Sequence, residues 1–160
     1  MERRNRVVVV GGGPGGYEAA LVAAHLGAEV TVVDSDELGG AAVLTDCVPS
    51  KTLIATADYL GELEVAADLG VDLGGRPGAQ PAGPRADLAA VNARVRALAA
   101  AQSDDIAGRL AEVGVRVVTG TAYVQSPDRV RAEAAAGSEI LDADVLLLAT
   151  GATPRVLETA

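Results

Sequence analysis

Four consecutive valines, Val7 to Val10, run straight into Gly11-Gly12-Gly13-Pro14-Gly15-Gly16 and then into an alanine-rich stretch. No other feature of the 160-residue chain narrows its fold as much. A β-branched run bounded by glycine suits a central strand buried on both faces. From Gly15 onward the residues favour a helix, with Ala19, Ala20, Ala23, Ala24 and Leu26 along a small apolar face and Gly27 as its stop. Glu29 to Asp34, EVTVVD, reads as the next strand. Strand, helix and strand in succession make a βαβ unit, two parallel strands joined by a crossover helix.

Within the glycine run the spacing is Gly11-x-Gly13-x-x-Gly16. Each glycine has a physical use: Gly11 for the tight turn, Gly13 for close approach of backbone to a pyrophosphate, Gly16 for close packing of helix on strand. The N-terminus of the helix adds unpaired N–H groups and a partial positive charge. Glycine-rich turns are common, but Asp34 closes the second strand where a carboxylate can accept hydrogen bonds from ribose hydroxyls. The expectation is a dinucleotide site for a ligand with a free adenosine 2′-hydroxyl. A purely structural glycine turn is the bland alternative, and the fingerprint alone does not separate NAD from FAD.

Further along, a glycine loop at Gly39-Gly40 precedes Pro49, which suits an early helix position, and SKTLIATADYLGEL continues as helix. Residues 70–86 are rich in Gly and Pro and read as an exposed connection. Asp87 is the expected N-cap of a long helix whose apolar row is Leu88, Val91, Val95, Leu98, Ile106, Leu110 and Val113, with Gln102 in its gap and Gly114 as its stop. VRVVTG reads as a third strand, and short β-prone pieces separated by Ser-Pro-Asp and Ala-Gly-Ser turns follow as a small antiparallel excursion. Val145 to Ala149 returns as a buried strand ending in a glycine loop. The whole reads as one α/β domain over 1–160, Rossmann-like and three-layered, with a central parallel sheet.

Composition removes several classes. A net charge of −9 and a pI near 4.5 oppose a nucleic-acid partner, whose phosphates call for clustered Lys and Arg. One cysteine cannot close an intrachain disulfide, which fits a reducing, cytoplasmic setting. The basic start is followed by an apolar run too short for a signal peptide or a membrane span. No His, Cys, Asp and Glu residues stand at metal-ligand spacing, so no metal is expected. His25 ends the first helix and is read as structural, while Tyr17, Tyr59 and Tyr123 are too dispersed for a stacking platform.

The order of VVVVGGGPGGYEAA, VVD, GGAAVLTDCVPSK and LLLATGATPR resembles the N-terminal, FAD-binding part of the pyridine nucleotide–disulfide oxidoreductases, the flavoproteins that include dihydrolipoamide dehydrogenase and glutathione reductase. The resemblance covers nearly the whole chain. It implies FAD as cofactor and NAD(P)H as co-substrate. Gly11, Gly13, Gly16 and Asp34 would contact the adenosine diphosphate half, Gly40 and Ala41 the pyrophosphate and ribityl chain. Ala122 would offer backbone to adenine, Thr150 and Gly151 a second glycine loop, and Lys51 a charge near flavin N5. In that family two cysteines five residues apart form a redox disulfide. Here Cys47 matches the second, and Ala42 stands where the first would be. Asp46 also replaces a usual glycine.

With one cysteine, dithiol–disulfide exchange lacks a necessary atom. The loop is therefore similar to that of the disulfide-lacking branch, which includes NAD(P)H:quinone reductases passing electrons from flavin to a quinone-like acceptor. The resemblance further implies that an NAD(P)H domain, the rest of the FAD domain and a dimerisation domain would follow, so that the chain is an N-terminal portion of a homodimeric flavoenzyme. Cys47 is then either a thiolate that tunes the flavin or a small, buried, inert residue. Lys51 is either a flavin-facing ammonium or an ordinary solvated lysine. Three other readings stay open: a dihydrolipoamide dehydrogenase-like enzyme, which Ala42 disfavours, a free-standing nucleotide-binding module, and an NAD-dependent dehydrogenase, which leaves Cys47 to Lys51 unexplained.

Overall fold

The computed structural model describes residues 4–71 and 85–153. It opens with β1 (Arg6–Val10), α1 (Pro14–His25) and β2 (Glu29–Asp34), then α2 (Gly40–Leu44), α3 (Cys47–Glu64) and a 3-10 turn, Ala66–Leu69. The long α4 (Leu88–Glu112) leads into β3 (Arg116–Ser126), β4 (Arg129–Ala134), β5 (Gly137–Asp142) and β6 (Val145–Leu148). The strands form one six-stranded sheet in the order β5-β4-β3-β2-β1-β6. β6, β1, β2 and the start of β3 are parallel, and β3, β4 and β5 continue as an antiparallel meander.

Alternation along β1 divides the core in two. Val9 joins Val30 and Val32 in a cluster closed by Ala20 of α1 and by Ile106 and Leu110 of α4. Val8 and Val10 face the other way, with Val33 and Val118, onto Val130, Ala132 and Leu141 of the meander. Helices therefore cover one side of the parallel strands and the meander covers the other. This is the expected three-layer α/β architecture, and β1 is buried on both faces as the valine run predicts.

Local boundaries follow side-chain chemistry. Asp87 caps α4 by accepting from the N–H groups of Ala89 and Ala90 at 2.9 and 3.2 Å. Pro49 falls in the first turn of α3, where its missing N–H costs no helical bond. The amino-terminal edge of the sheet is held by ions. Arg6 Nη2 lies 3.3 Å from Asp144 and Nη1 3.6 Å from Asp142, which Arg129 also meets at 3.0 Å. The hydrogen bond to Asp144 and the nearby carboxylates raise the Arg6 pKa above its ordinary value. Beside them the Ser126 hydroxyl donates to Asp128 at 2.6 Å, and this bond, with a backbone bond, lowers the Asp128 pKa.

Five readings of the sequence need correction or bounding. The glycine loop at residue 40 is the first turn of a short helix, α2. VRVVTG and the following TAYVQS form one unbroken strand. Among the described residues β6 is an edge strand, exposed at Val145 and Leu148, because only β1 pairs with it there. Leu88 and Leu98 of the apolar row are exposed, while the small residues Ala99 and Ser103 are buried in their place. Of the Gly/Pro-rich connection, residues 72–84 lie outside the described residues.

Candidate functional site

The strand order reverses at β1, since β2 lies on one side of it and β6 on the other. In open parallel sheets, ligands sit beyond the carboxyl ends of strands at such a switch point. Here that place is built from backbone. Gly11 leaves β1 at φ +102°, and its N–H donates to the Val33 carbonyl at 2.8 Å. A Cβ on Gly11 would stand 2.2 Å from the Ala149 carbonyl oxygen, so β1 and β6 can close here only over bare backbone. A Cβ on Gly16 would stand 1.8 Å from the Gly11 oxygen, which is the close helix-on-strand packing the spacing predicts.

Gly13 is different. Its carbonyl accepts the N–H groups of Gly16 and Tyr17, both at 2.9 Å, and it caps a helix that begins with Pro14. A Cβ placed on it would meet nothing nearer than the Gly40 Cα at 3.9 Å. Across from it, Gly40 holds φ +54° at the start of α2, with its own Cβ position 2.9 Å from the Gly13 Cα. Two uncovered stretches of main chain thus face one another at the carboxyl edge. Ala41, Thr150 and Gly151 are exposed along the same region, and the Ala149 N–H bonds to Val10 at 2.8 Å.

Asp34 lies half buried at the end of β2. The Gly12 N–H donates to Asp34 Oδ2, and the Asp36 N–H donates to Oδ1 at 2.8 Å. A carboxylate has about four acceptor positions, so two backbone donors orient it and leave room for further donors such as ribose hydroxyls. Gly12 escaped the spacing rule. It is buried, and a Cβ on it would come 2.5 Å from the Leu38 side chain and 3.1 Å from Asp34. The triple glycine carried that signal, but the fingerprint inspects only the first, third and sixth positions.

The remaining site residues occupy neighbouring elements. Thr119 pairs with Asp34, and β3 runs past the end of β2 to Ala122, half buried opposite Ala132. Cys47 is the first residue of α3, and Lys51 follows one turn later on the same helix face. Both are exposed, which corrects the buried alternative for Cys47, and their side chains make no hydrogen bond or ion pair among the described residues. Gly11, Gly13, Gly16, Asp34 and Gly40 come together through the contacts above; Ala122 on β3 and Cys47 and Lys51 on α3 make no bond to them. Ala42, five positions before Cys47, is half buried in α2. His25 donates from Nδ1 to the Leu21 carbonyl at 2.7 Å, at the end of α1.

No group of three or more His, Cys, Asp and Glu that could hold a metal exists among the described residues. No described helix is long and apolar enough to cross a membrane.

Known proteins share this arrangement. The chain is 47% identical to an NAD(P)H dehydrogenase (quinone) of Mycobacterium tuberculosis, over 97% of this chain and 32% of that protein. It is 31% identical to a dihydrolipoyl dehydrogenase of Bacillus subtilis, over 92% of this chain and 31% of that one. Its structure superposes on crystalline LpdA from Mycobacterium tuberculosis with a TM-score of 0.83 at 45% identity, covering 98% of this chain and 34% of LpdA. The chain thus spans about a third of the length of the curated relatives it matches. Residues 5–160 match the family pattern described as pyridine nucleotide-disulphide oxidoreductase, and the chain belongs to that family.

Proposed function

We propose that the chain is the FAD-binding portion of an NAD(P)H-dependent flavoprotein oxidoreductase that passes electrons to a quinone or similar acceptor without a redox disulfide. One observation carries the reading: a bare-backbone ledge and an oriented carboxylate share the carboxyl edge of the sheet, in a chain with a single cysteine. The ledge fits the adenosine pyrophosphate half of FAD. Gly11, Gly13 and Gly16 present the turn and the N-terminus of α1 to the phosphates, Asp34 accepts ribose hydroxyls, and Ala122 offers its backbone to adenine. Gly40 and Ala41 flank the pyrophosphate and ribityl chain, and Thr150 and Gly151 close the opposite side. Lys51 presents an ammonium toward flavin N5, and Cys47 supplies a thiol with no partner. When bound, FAD supplies the two-electron chemistry between NAD(P)H and acceptor.

The name of the Mycobacterium tuberculosis relative supports the quinone as acceptor. The dihydrolipoyl dehydrogenase relatives support the same cofactor but not the same exchange, because Ala42 removes one sulfur of the pair. The reading extends to a cytoplasmic homodimer in the whole flavoenzyme, with NAD(P)H handled by segments that follow this one. Accordingly, the 160 residues turn over little or no NADH on their own.

The deciding experiment is the visible spectrum of the purified chain after incubation with FAD and removal of free ligand. A retained flavin spectrum is expected. A colourless protein that instead binds NAD in a titration overturns the flavin reading. Steady NADH-dependent quinone reduction by the 160 residues overturns the division of labour.

A further inference from the structure

Gly12, the glycine that the fingerprint spacing passes over, has both of its backbone groups engaged. Its N–H donates to Asp34 Oδ2, and its carbonyl accepts the Gly39 N–H at 2.9 Å. Through this one residue the end of β2 is tied to the start of α2. The adjoining Gly40 in turn lies against Gly13, with its Cβ position 2.9 Å from the Gly13 Cα. The carboxylate that would hold a ribose and the ledge that would hold a pyrophosphate therefore share a support.

That support has a side chain beneath it. Between β2 and α2, Ser35, Asp36 and Glu37 are exposed, whereas Leu38 and Gly39 are buried. A Cβ built on Gly12 would lie 2.5 Å from Leu38 Cδ2, so the leucine fills the space that Gly12 leaves by having no side chain. Leu38 is itself held in the buried cluster with Val9, Ala20 and Val43. Close packing lets a side chain anchored in this way limit where the backbone above it can lie.

We propose that Leu38 is a positioning residue of the nucleotide site. Anchored in the core, it sets the Gly12 backbone where that residue can bond Asp34 on one side and Gly39 on the other. Being buried, it acts on a ligand only through Gly12. This role rests on the reading of the carboxyl edge as an FAD site, and it names the side chain that keeps the ribose-binding and pyrophosphate-binding parts in register before the ligand arrives. A site assembled in advance binds more tightly, because ordering it costs nothing at the moment of binding.

The test uses the fit between the two side-chain positions. FAD affinity of the 160-residue chain is measured by flavin fluorescence for the parent, Leu38→Ala, Gly12→Ala and the two together, with circular dichroism confirming each fold. Each single substitution should weaken binding about tenfold, Leu38→Ala by removing the support and Gly12→Ala by pushing against it. The double variant should bind more tightly than Gly12→Ala alone, since the new methyl group enters space the leucine has vacated. Leu38→Met, which conserves volume, should bind nearly as the parent does. A double variant no better than Gly12→Ala overturns the proposal, and so does a folded Leu38→Ala that binds FAD unchanged.

A second readout needs no flavin. In the ligand-free chain, NMR-detected deuterium exchange at the Gly12 and Gly39 amides should accelerate in Leu38→Ala beyond any change at the amides of β1 and β2. Uniform acceleration across the sheet overturns the proposal, because it marks a general loss of stability and not a displaced Gly12. Should Leu38→Ala fail to fold, Leu38→Val takes its place in both measurements. A parent chain that retains no FAD defeats the flavin reading, and the amide rates then decide the role of Leu38 by themselves.

Discussion

The two edges of the parallel sheet are finished in opposite ways. At the amino edge, long side chains do the closing: Arg6 reaches Asp142 and Asp144, and Arg129 reaches Asp142. At the carboxyl edge, the chain removes side chains until main chain lies uncovered at Gly11, Gly13 and Gly40, with one short carboxylate held by backbone donors. The contrast teaches how one sheet serves two ends. Exposed ion pairs tolerate loss because water and salt screen them. At Gly11, Gly16 and Gly40 the backbone does not tolerate even one added methyl group, since the atoms it would displace are main chain.

That contrast can be broken or sharpened by substitution, and the largest effect is expected at the ledge. Gly16→Val places carbon where the Gly11 carbonyl oxygen already stands, so α1 must leave β1. Overpacking of this kind costs about 3 kcal/mol, and urea unfolding should show it together with loss of retained FAD. An unchanged midpoint would show that the glycine contact is dispensable. Asp34→Asn keeps the shape but removes the charge; hydrogen bonds to charged groups are worth about 1.5–3 kcal/mol, so FAD affinity by fluorescence titration should fall about tenfold or more. Arg6→Ala, at the other edge, should lower the melting temperature slightly, less so in high salt, and leave FAD affinity unchanged. If it costs as much affinity as Asp34→Asn, the edges are not independent.

The smallest effect concerns pH. Because Ser126 depresses the native Asp128 pKa, the folded state favours the ionised form. The associated stability is therefore fully present above the ordinary aspartate range and disappears as pH falls through the lowered native value. Carbon-detected NMR titration should find Asp128 titrating below the ordinary aspartate range, and Ser126→Ala should move it upward.

How much of this was legible beforehand depends on what each signal measures. The glycine spacing predicted the close packing at Gly16, the turn at Gly11 and the role of β1, because those demands are local and steric. Asp34 was legible as the residue that ends the second strand but not as the partner of Gly12, which needs the turn of the loop to bring the two together. α2 was missed because Gly39-Gly40 reads as a breaker, yet Gly40 starts a helix there. The burial of Ala99 and Ser103 in place of Leu88 and Leu98 was also hidden. Alanines recur all around α4, and only packing reveals which of them allow close approach. The exposure of β6 is a property of neighbours along the sheet, which its own hydrophobic run cannot report.

β3 belongs to two layers at once: its first residues pair with β2 and its later ones with β4, and at Gly120 a Cβ would lie 2.2 Å from the Glu133 oxygen. The meander is therefore continuous with the strand that pairs with β2 up to Asp34. Amide protons of β2, β3 and β4 should exchange with deuterium as one cooperative unit, so whatever loosens the meander loosens the Asp34 end of the ledge by the same event.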